Sequence, residues 1–419
     1  MSILSELRTL TPKQRNTVLA SYLGWTLDAF DFFILVFVLK DVAAEFSTSV
    51  KAVSYAIALT LMMRPVGALV FGLAADRFGR RPVLMANVLF YSLMELLSGF
   101  APSMTALLIL RALFGIAMGG EWGIGASLAM ESIPPRLRGP VSGLLQTGYP
   151  TGYLIASVVF ALFFEHIGWR GMFILGAAPA LLVLYIRRGV EESPVFIAHA
   201  EKRAEGLVAH AKDMARIGRK HIWLFLYSIL LMAAFNAFSH GTQDLYPTFL
   251  REQHSFDAHS VGIIVIIGNI GAIIGGLTSG TLSERFGRRR MIATMALLAL
   301  PVIPLWAYSS TPIFLALGAF LIQIAVQGAW GIVPAHLNEL SPNEVRGTFP
   351  GFAYQLGNLI VSLAAPLQAA LAEGRGGDYS FALASVAAAV AVVLALLATL
   401  GVEKHGVAFT STTPPPAGD

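Results

Sequence analysis

The stretch GLAADRFGRR at residues 72–81 returns as GTLSERFGRR at residues 280–289, an offset of 208 positions. Both copies carry an acidic residue, an arginine and a glycine at the same points and end in two arginines. The same offset relates further residues outside the two copies: Trp122 and Trp330, Glu131 and Glu339, Pro134 and Pro342, and Arg138 and Arg346. One half of the chain therefore repeats the other in the same orientation, which predicts two copies of one bundle.

The composition places most of the chain in lipid. Of its 419 residues, 56% are hydrophobic and 13% are charged, and the mean hydropathy is +0.68. Soluble globular proteins carry about 25% charged residues. Apolar stretches that approach or exceed the roughly 20 residues of a membrane-crossing helix lie at 17–39, 52–73, 82–101, 104–130, 140–164, 169–187, 221–250, 259–282, 290–308, 311–338, 346–371 and 380–401. We therefore predict an all-α membrane protein with twelve transmembrane helices, six in each repeat.

The distribution of basic residues predicts the orientation. Of the 29 Lys and Arg residues, two lie inside spans, and most of the others lie on the side that holds the N-terminus. The opposite side holds Lys40, Lys51, Arg170, Arg251 and Arg375. Because cytoplasmic loops are enriched in Lys and Arg, we expect a multi-pass protein of the cell (inner) membrane with both termini in the cytoplasm.

The spans divide the chain into four segments. An N-terminal six-helix bundle covers residues 1–187, a cytoplasmic linker covers 188–220, a C-terminal six-helix bundle covers 221–403 and a disordered cytoplasmic tail covers 404–419. The linker is rich in Ala, Lys, Arg and Glu, which favours a surface helix that tethers the bundles. The tail ends in TPPPAGD, a composition typical of disorder.

Several of these patterns resemble a known family. The two Gly-x-x-x-Asp/Glu-Arg-x-Gly-Arg-Arg loops, together with Arg111 and Gly115 four residues apart in span four, resemble the major facilitator superfamily over the whole membrane region. That resemblance implies a major-facilitator-type fold of two parallel six-helix repeats, transport between the halves, and a monomer as the expected oligomeric state.

A narrower resemblance lies in span seven. Residues 236–248, NAFSHGTQDLYPT, fit the Asn-x-x-Ser/Thr-His-x-Ser/Thr-Gln-Asp-x-x-x-Thr signature and resemble the lactate/pyruvate:proton symporters of the sialate:proton symporter family. The resemblance implies a proton-coupled symporter that imports a small monocarboxylate of the lactate and pyruvate class. Sialate transporters of that family have additional central spans, which the linker cannot supply. The pattern from Trp25 to Asp31 also resembles aromatic-acid:proton symporters, so aromatic or larger carboxylates, sialate or benzoate-like, stay open, as does a non-transporting solute sensor.

Ionisable side chains inside the spans carry most of the functional hypotheses, because each costs about 2.5–3.5 kcal/mol at the membrane centre on insertion scales. Asp28 and Asp31 lie three residues apart in span one and share one helix face. Two close carboxylates repel each other in a low dielectric, which favours protonation and predicts a proton-coupling role. The alternative is a structural arrangement in which Arg64 or Arg111 neutralises one of them.

Two arginines inside spans receive different predictions. Arg64 lies near the middle of span two, and a guanidinium can hold a carboxylate with two parallel hydrogen bonds, so we predict a substrate anchor. The alternative is a purely structural partner of the span-one acids. Arg111 lies nearer the opposite face, in a pattern that the superfamily associates with proton coupling, with structural pairing as its alternative.

Span seven supplies a polar stripe, since Asn236, His240 and Asp244 recur every four residues. His240 either binds the anion when protonated or exchanges a proton with Asp244. The alternative is a hydrogen-bonded pair that fixes the helix near Gly241 and Pro247. Asn236 is predicted to contact the substrate.

Polar residues in two further spans are candidates for substrate binding. Gln355 and Asn358 share a face of span eleven and are predicted to donate hydrogen bonds to a hydroxyl or carboxylate. Tyr149 in span five is a further candidate, with Gln146 and Tyr153 as weaker ones, since buried tyrosines often only pack.

Two glutamates receive structural interpretations. Glu95 lies in a span that the superfamily places at the periphery, so we expect a structural or lipid-interface role. Glu121 lies beside Trp122 and the small residues Gly119 and Gly120, where we expect it to pair with a neighbouring helix.

The repeated loops are predicted to form gates on the cytoplasmic side. An acid there can accept hydrogen bonds from a helix N-terminus, and the arginines can pair with acids at helix ends. The predicted gating residues are Asp76, Arg77, Arg80 and Glu131 in the first copy and Glu284, Arg285, Arg288 and Glu339 in the second.

Other function classes find no support in the pattern. No span carries a paired metal-ligand motif or a nucleophile beside a base, so we expect no enzyme activity, no metal and no cofactor. No basic face with interleaved aromatic residues lies outside the spans, which argues against nucleic-acid binding. The expected partners are a small organic acid, protons and the lipid bilayer. The absence of cysteine excludes disulfides.

Overall fold

The computed structural model describes residues 10–133, 144–192, 219–341 and 349–404, together with the single positions 141, 197 and 216. Most of the predicted linker and the tail beyond residue 404 lie outside the described residues. The first half contains α1 (Pro12–Glu45), α2 (Val50–Phe78), α3 (Arg80–Gly99), α4 (Met104–Ser132), α5 (Gly148–Leu175), a 3-10 turn (Ala178–Leu181) and α6 (Leu182–Gly189).

The second half follows the same order. Its helices are α7 (Ile222–Gln243), α8 (Tyr246–Glu252), α9 (Ala258–Phe286), α10 (Arg288–Tyr308), α11 (Pro312–Trp330), α12 (Val333–Leu340), α13 (Phe349–Val361), α14 (Ala364–Glu373) and α15 (Tyr379–Leu400). We call the end of the bundle where α1 begins the terminal end, and the end where α1 finishes the distal end.

Within the described residues, 11 helical segments are long and apolar enough to cross a membrane. The predicted sixth span, 169–187, is not one helix, which corrects the expectation from the sequence. Gly168 adopts a left-handed φ of 62° and interrupts α5, which then continues to Leu175. Pro179 opens the 3-10 turn that separates this segment from α6. Glycine tolerates the left-handed conformation and proline lacks an N–H donor, so both residues break the helical ladder.

A glycine in each repeated loop allows the chain to turn sharply between two helices. Gly79 ends α2 with a φ of 105°, and Gly287, its equivalent at the 208-residue offset, ends α9 with a φ of 87°. A side chain is strongly disfavoured at such angles, so glycine permits the tight turn. In both copies the next helix begins at the following residue.

Helix packing obeys the same repeat. In the first half α2 packs along α4, and in the second half the equivalent α9 packs along α11. A β-carbon on Gly67 would overlap the backbone of Ile116, and one on Gly275 would overlap the backbone of Ile324. Both members of the second pair lie 208 positions after the first. Small residues let membrane helices approach closely, which explains the glycine.

The two halves meet through equivalent helices. In one contact α2 packs against α13 and α14, and in the other α9 packs against α5. A β-carbon on Gly262 of α9 would overlap Ala161 of α5, so these helices lie close together toward the distal end. Large apolar side chains such as Leu69, Leu297 and Leu396 are exposed, whereas several charged side chains are fully buried. This inverted pattern is the one expected of a protein solvated by lipid.

We expect Gly67→Ala to destabilise the folded protein, because its β-carbon would overlap the backbone of Ile116. Overpacking of this kind costs about 1–3 kcal/mol. Thermal unfolding of the purified protein in detergent measures the effect. Gly72→Ala on the same helix is the matched control, since no atom lies within 4 Å of its β-carbon position. An equal midpoint for the two variants would contradict the close approach of α2 and α4.

Candidate functional site between the halves

Arg64 lies at the centre of the contact between the two halves. Its side chain is 0% exposed, and its Nη2 donates a hydrogen bond of 3.2 Å to the hydroxyl of Tyr354 from the second half. Its guanidinium also lies 5.2 Å from the centre of the Tyr354 ring and 6.0 Å from that of Trp25. Its Nε and Nη1 atoms have no hydrogen-bond partner among the described residues. Two nitrogen atoms of this buried guanidinium therefore donate to no protein group among the described residues.

Tyr354 is held by a pair of tryptophans that the repeat relates. The Trp122 and Trp330 rings both lie 5.6 Å from the Tyr354 ring, at steep angles. Its backbone carbonyl accepts a hydrogen bond of 3.4 Å from Nδ2 of Asn236. Sequence reasoning missed Tyr354, although the repeated tryptophans and the adjacent Gln355 were available as signals. The ring is thus fixed by both halves at the point where it touches Arg64.

The predicted polar residues of span eleven lie beside this arginine. Gln355 donates a long hydrogen bond of 3.5 Å to the carbonyl of Gly119 on α4, and Nδ2 of Asn358 donates one of 3.0 Å to Gln355. The Oδ1 atom of Asn358 accepts no hydrogen bond from any residue in the described ranges. On the opposite wall Tyr149 stacks on Trp25, with ring centres 5.5 Å apart.

His240 and Asp244 form a buried pair. The His240 Nδ1 atom lies 3.1 Å from each carboxylate oxygen of Asp244, and both side chains are at most 3% exposed. The pair lies where α7 ends and α8 begins, so the helix break and the pair coincide. The edge of Phe32 from the first half contacts the His240 ring at 5.7 Å between centres.

Next to this break lies a small cavity of about 10 Å³. Tyr153 of the first half closes one side of it. The other lining residues belong to the second half and include Thr242, Gln243, Tyr246, Asn269 and Gln323. A space of this size holds about one water molecule, and not an organic acid. The walls combine aromatic rings with amide and hydroxyl groups.

The span-one acids lie behind Arg64, inside the first half. Asp28 and Asp31 are both 0% exposed, and none of their carboxylate oxygens has a hydrogen-bond partner in the described part of the chain. Asp28 and Glu121 both interact electrostatically with Arg64. The two carboxyl groups therefore offset the charge of the buried guanidinium without accepting a hydrogen bond from it.

Glu95 and Arg111 form the second buried ion pair. The Arg111 Nη2 atom lies 2.6 Å from Glu95 Oε2 and 2.8 Å from the hydroxyl of Ser98. Both charged side chains are at most 1% exposed. Of the structural or lipid-interface role expected for Glu95, this pair corresponds to the structural one, because α3 turns the residue toward α1 and α4 and leaves it 0% exposed. The structural-pairing alternative stated for Arg111 corresponds to this contact.

The predicted gating residues lie at the terminal end. Arg288 donates to both oxygens of Glu339, at 3.2 and 3.1 Å, within the second half. In the first half Arg80 Nη1 donates 3.1 Å to the carbonyl of Ala75, and the Arg77 guanidinium lies 5.5 Å from the ring of Phe78. Arg285 is exposed, and the side chains of Asp76, Glu131 and Glu284 lie outside the described residues. A gating role for this set stays a prediction.

At the distal end two ion pairs join the halves in the described part of the chain. Asp41 at the end of α1 pairs with Arg251 of α8, with 3.0 Å between Oδ1 and Nη2. The neighbouring Lys40 pairs with Glu252 at 3.2 Å. Each half thus contributes one basic and one acidic residue in adjacent positions, and each residue pairs with the oppositely charged one on the other half. We call these four residues the distal latch.

Two repeated helical bundles around a buried guanidinium, with polar groups from both halves converging at mid-depth, define a membrane transporter. The fold agrees with that of a solved structure described as the partially occluded inward open conformation of the xylose transporter XylE from E. coli, with a TM-score of 0.76 and 19% identity over 95% of this chain and 100% of that one. The family model described as Major Facilitator Superfamily matches residues 22–243 and 245–417, and the chain belongs to this family.

Curated relatives are similar over most of the chain. A probable 4-methylmuconolactone transporter of Cupriavidus pinatubonensis is 32% identical over 84% of this chain and 82% of its own length. The sialic acid transporter NanX of Escherichia coli is 26% identical over 95% of this chain and 96% of its own length. A carboxylic acid transporter protein homolog of Saccharomyces cerevisiae is 29% identical over 88% of this chain, which spans 63% of that relative's length. These relatives are membrane transporters rather than enzymes, and so is this chain.

The distal latch generates a charge-reversal prediction. We expect Asp41→Arg to place two cations together at the distal end and to slow uptake into proteoliposomes. The double variant Asp41→Arg/Arg251→Asp restores the attraction and is expected to recover most of the rate. Coupling energies between contacting residues in such cycles are about 0.5–3 kcal/mol.

A distance measurement separates a gating effect from misfolding. The chain contains no cysteine, so spin labels can be attached to cysteines introduced at the exposed positions Ser47 and Arg375 on opposite halves. The single reversal is expected to lengthen the label-to-label distance, and the double variant to shorten it again. Equal uptake and equal distances in all three proteins would show that the latch has no role.

Proposed function

We propose that the chain is a proton-coupled symporter that imports a small monocarboxylate, of the lactate and pyruvate class, by alternating access of its two halves. One observation carries the proposal. Arg64 is completely buried between the halves, and its Nε and Nη1 atoms have no acceptor among the described residues. A buried cation with free donors on a planar fork is suited to a carboxylate, which accepts two hydrogen bonds at once.

Neighbouring groups fit a small acid with a second polar substituent. Asn358 offers an unused amide oxygen, and Asn236 and Gln355 hold their amides close to Tyr354. In the proposed cycle the carboxylate replaces the Tyr354 hydroxyl as the acceptor for Arg64. Release of Tyr354 then loosens its contacts with Trp122 and Trp330, which belong to different halves. Substrate binding is thereby connected to the contact between the halves.

Proton coupling follows from the charge balance. Bringing an anion next to Asp28 and Glu121 adds a negative charge to a region of low dielectric, which favours uptake of one proton by a nearby acid. Asp28, Asp31, Arg111 and the His240–Asp244 pair are the candidates to respond. A proton and a monocarboxylate together leave the net charge of the site unchanged. We further propose that both termini lie in the cytoplasm, as the distribution of basic residues indicates.

A larger or aromatic carboxylate is the second candidate. The observation that favours it is the aromatic wall around Arg64, where Trp25 stacks on Tyr149 and Phe33 lies 5.1 Å from the Tyr149 ring. Flat apolar rings pack well against such surfaces. The similarity to transporters described for 4-methylmuconolactone and sialic acid is in keeping with it.

Counterflow in proteoliposomes tests the function and separates these substrates. Vesicles loaded with unlabelled lactate, pyruvate, benzoate or sialate are diluted into the labelled acid at two pH values. Preferred exchange of lactate or pyruvate, together with accumulation driven by an acid exterior, is the expected result. Exchange of benzoate or sialate alone favours the second candidate. Vesicles that remain inert toward all four acids would contradict carboxylate transport.

We expect Arg64→Ala to abolish uptake and Arg64→Lys to weaken it. A hydrogen bond to a charged group contributes about 1.5–3 kcal/mol. The loss of one such bond in Arg64→Lys is therefore expected to raise the half-saturation concentration about 10- to 150-fold. Initial rates of labelled lactate uptake over a concentration series measure the change. Arg375→Ala is the control, because Arg375 stacks on Phe381 in a loop at the distal end. Ordinary affinity in Arg64→Ala would remove this residue from the site.

Asp31→Asn is expected to stop accumulation against a gradient, since an amide cannot exchange a proton at this position. Uptake driven by an imposed pH gradient, followed with labelled lactate, measures the effect. Asp378→Asn is a control variant, because that acid caps α15 at the distal end through a hydrogen bond of 2.9 Å to the N–H of Phe381. Gradient-driven accumulation with an unchanged pH dependence in Asp31→Asn would show that the proton is carried elsewhere.

A further inference from the structure

In the described part of the first half, four carboxyl groups are buried, which is more than the buried cations there can neutralise. Asp28, Asp31, Glu95 and Glu121 are each 0% exposed. The fully buried cations beside them are Arg64 and Arg111. If all four acids were ionised, the group would hold two more negative charges than positive ones. Unpaired charges in a dry interior are very costly, so the group binds protons.

The side chains of Asp31 and Glu95 come together beside Gly176. A β-carbon on Gly176 would lie 3.2 Å from Oδ1 of Asp31 and would overlap the side chain of Glu95. The two carboxyl-bearing side chains therefore meet at one glycine that leaves room for both. Glu95 in turn contacts Arg111 at 2.6 Å. This corner links α1, α3 and α4.

Tyr91 lies among the other three acids. It is one helical turn from Glu95 on α3, is 0% exposed, and interacts electrostatically with Asp28, Asp31 and Glu121. Its hydroxyl has no hydrogen-bond partner among the residues that the structure describes. A hydroxyl can donate one proton while it accepts another, so this residue suits a position between acids.

A second small cavity, of about 10 Å³, lies on the terminal side of these acids and has room for about one water molecule. It is lined by Ser21, Trp25 and Glu121, together with Trp122, Gly125, Ala126 and Leu145. The Ser21 hydroxyl, the Trp25 Nε1 and both Glu121 oxygens are buried without a partner in the described ranges. Polar groups that converge on one cavity in this way are suited to hold water or an exchanging proton. Ser21 lies about 14 Å along α1 from its first residue, at 1.5 Å per residue.

We propose that the proton crosses inside the first half, from Asp31 and Asp28 past Tyr91 to Glu121, and leaves through the cavity at Ser21 and Trp25. The organic acid passes between the halves at Arg64, so the two cargoes take separate routes. The inference rests on the proposed proton coupling and assigns it a path. In each transfer between acids, a carboxylic acid gives its proton to a carboxylate, so that the donor becomes a carboxylate and the acceptor a carboxylic acid. The hydroxyl of Tyr91 donates its proton to one side as it accepts a proton from the other.

The ionisable groups that face this path come from five helices. They are Asp28 and Asp31 on α1, Arg64 on α2, Tyr91 and Glu95 on α3, Arg111 and Glu121 on α4, and Tyr149 and Tyr153 on α5. The path is a property of the first half alone. At the 208-residue offset the four acids correspond to Asn236, Ser239, Ile303 and Ala329. The shared scaffold of the two repeats therefore does not require them.

Glu121→Gln tests the path in the full-length protein. The amide keeps the size of the side chain but cannot release a proton. Exchange of lactate across the membrane needs no net proton movement, so counterflow is expected to continue, with a changed half-saturation concentration because Glu121 also interacts electrostatically with Arg64. Accumulation driven by a pH gradient is expected to fall about 100-fold, the scale of a lost proton-transfer group. A pH-sensitive dye trapped in the vesicles follows the accompanying proton.

Tyr91→Phe is a second variant that removes one hydroxyl and no charge. It is expected to keep counterflow and to slow proton entry measured with the same dye. Two controls change the same chemical groups off the path. They are Glu165→Gln, near the distal end of α5, and Tyr185→Phe on α6, whose hydroxyl bonds Asn16 at 3.1 Å.

The outcomes separate this inference from the proposed function. A wild-type protein that exchanges none of the tested acids overturns the function itself. If the wild-type protein couples lactate to protons and both variants couple equally well, the path is wrong. If the variants remain monodisperse but lose both lactate exchange and gradient-driven accumulation, the separation of the two routes is wrong. Should Glu121→Gln not fold, Tyr91→Phe decides the question by the same two measurements.

Discussion

A buried guanidinium whose hydrogen-bond donors outnumber its protein acceptors is the constraint on which the rest of the structure depends. Arg64 donates to Tyr354 through one nitrogen, whereas its other two have no partner among the described residues. Such a group is tolerated only if negative charge lies nearby, and Asp28 and Glu121 supply it without binding it directly. Direct ion pairs would satisfy the arginine and leave it nothing to offer. The distance between these charges therefore keeps Arg64 available for an anion.

The two halves share a scaffold but not a chemistry. Gly67 and Gly275 make equivalent close approaches, and Gly79 and Gly287 make equivalent turns. Helix packing and turns are thus duplicated with the sequence. The cluster of Asp28, Asp31, Glu95 and Glu121 belongs to the first half, while the corresponding helix α7 offers an amide and a hydroxyl in place of Asp28 and Asp31. The buried carboxyl groups described in the second half, Asp244 and Glu339, instead pair with His240 and Arg288. The first-half cluster is consequently suited to hold protons, and the amide and hydroxyl of α7 to contact the neutral parts of an organic acid.

Features set by local periodicity could be predicted from the sequence, and those set by tertiary packing could not. The membrane helices and the four-residue spacing of His240 and Asp244 follow from short-range patterns, and the repeat follows from direct comparison of the two halves of the sequence. The break at Gly168 falls between the predicted fifth and sixth spans. The break within the sixth span, between Leu175 and Leu182, was missed because apolar composition continues across it and packed membrane helices tolerate a proline such as Pro179. Tyr354 was missed for another reason. A single tyrosine carries no periodic signal, and its importance arises from the two tryptophans that meet around it.

Helix α1 connects the chemistry at mid-depth with the contact at the distal end. Its 34 residues run without interruption and carry Ser21, Asp28, Asp31 and both first-half members of the distal latch. Partly exposed ion pairs are worth about 0–1 kcal/mol each. Shifting the population ratio of two states from 1:99 to 99:1 takes about 5.5 kcal/mol. The latch alone therefore cannot set the state of the transporter.

Buried ions cost about 2.5–3.5 kcal/mol each inside a membrane, so neutralising two of them by a proton and an organic acid supplies energy of the required size. Because both sets of groups lie on one rigid helix, a change of charge at Asp28 and Asp31 can be transmitted to Lys40 and Asp41 by tilting α1, without any separate signalling element.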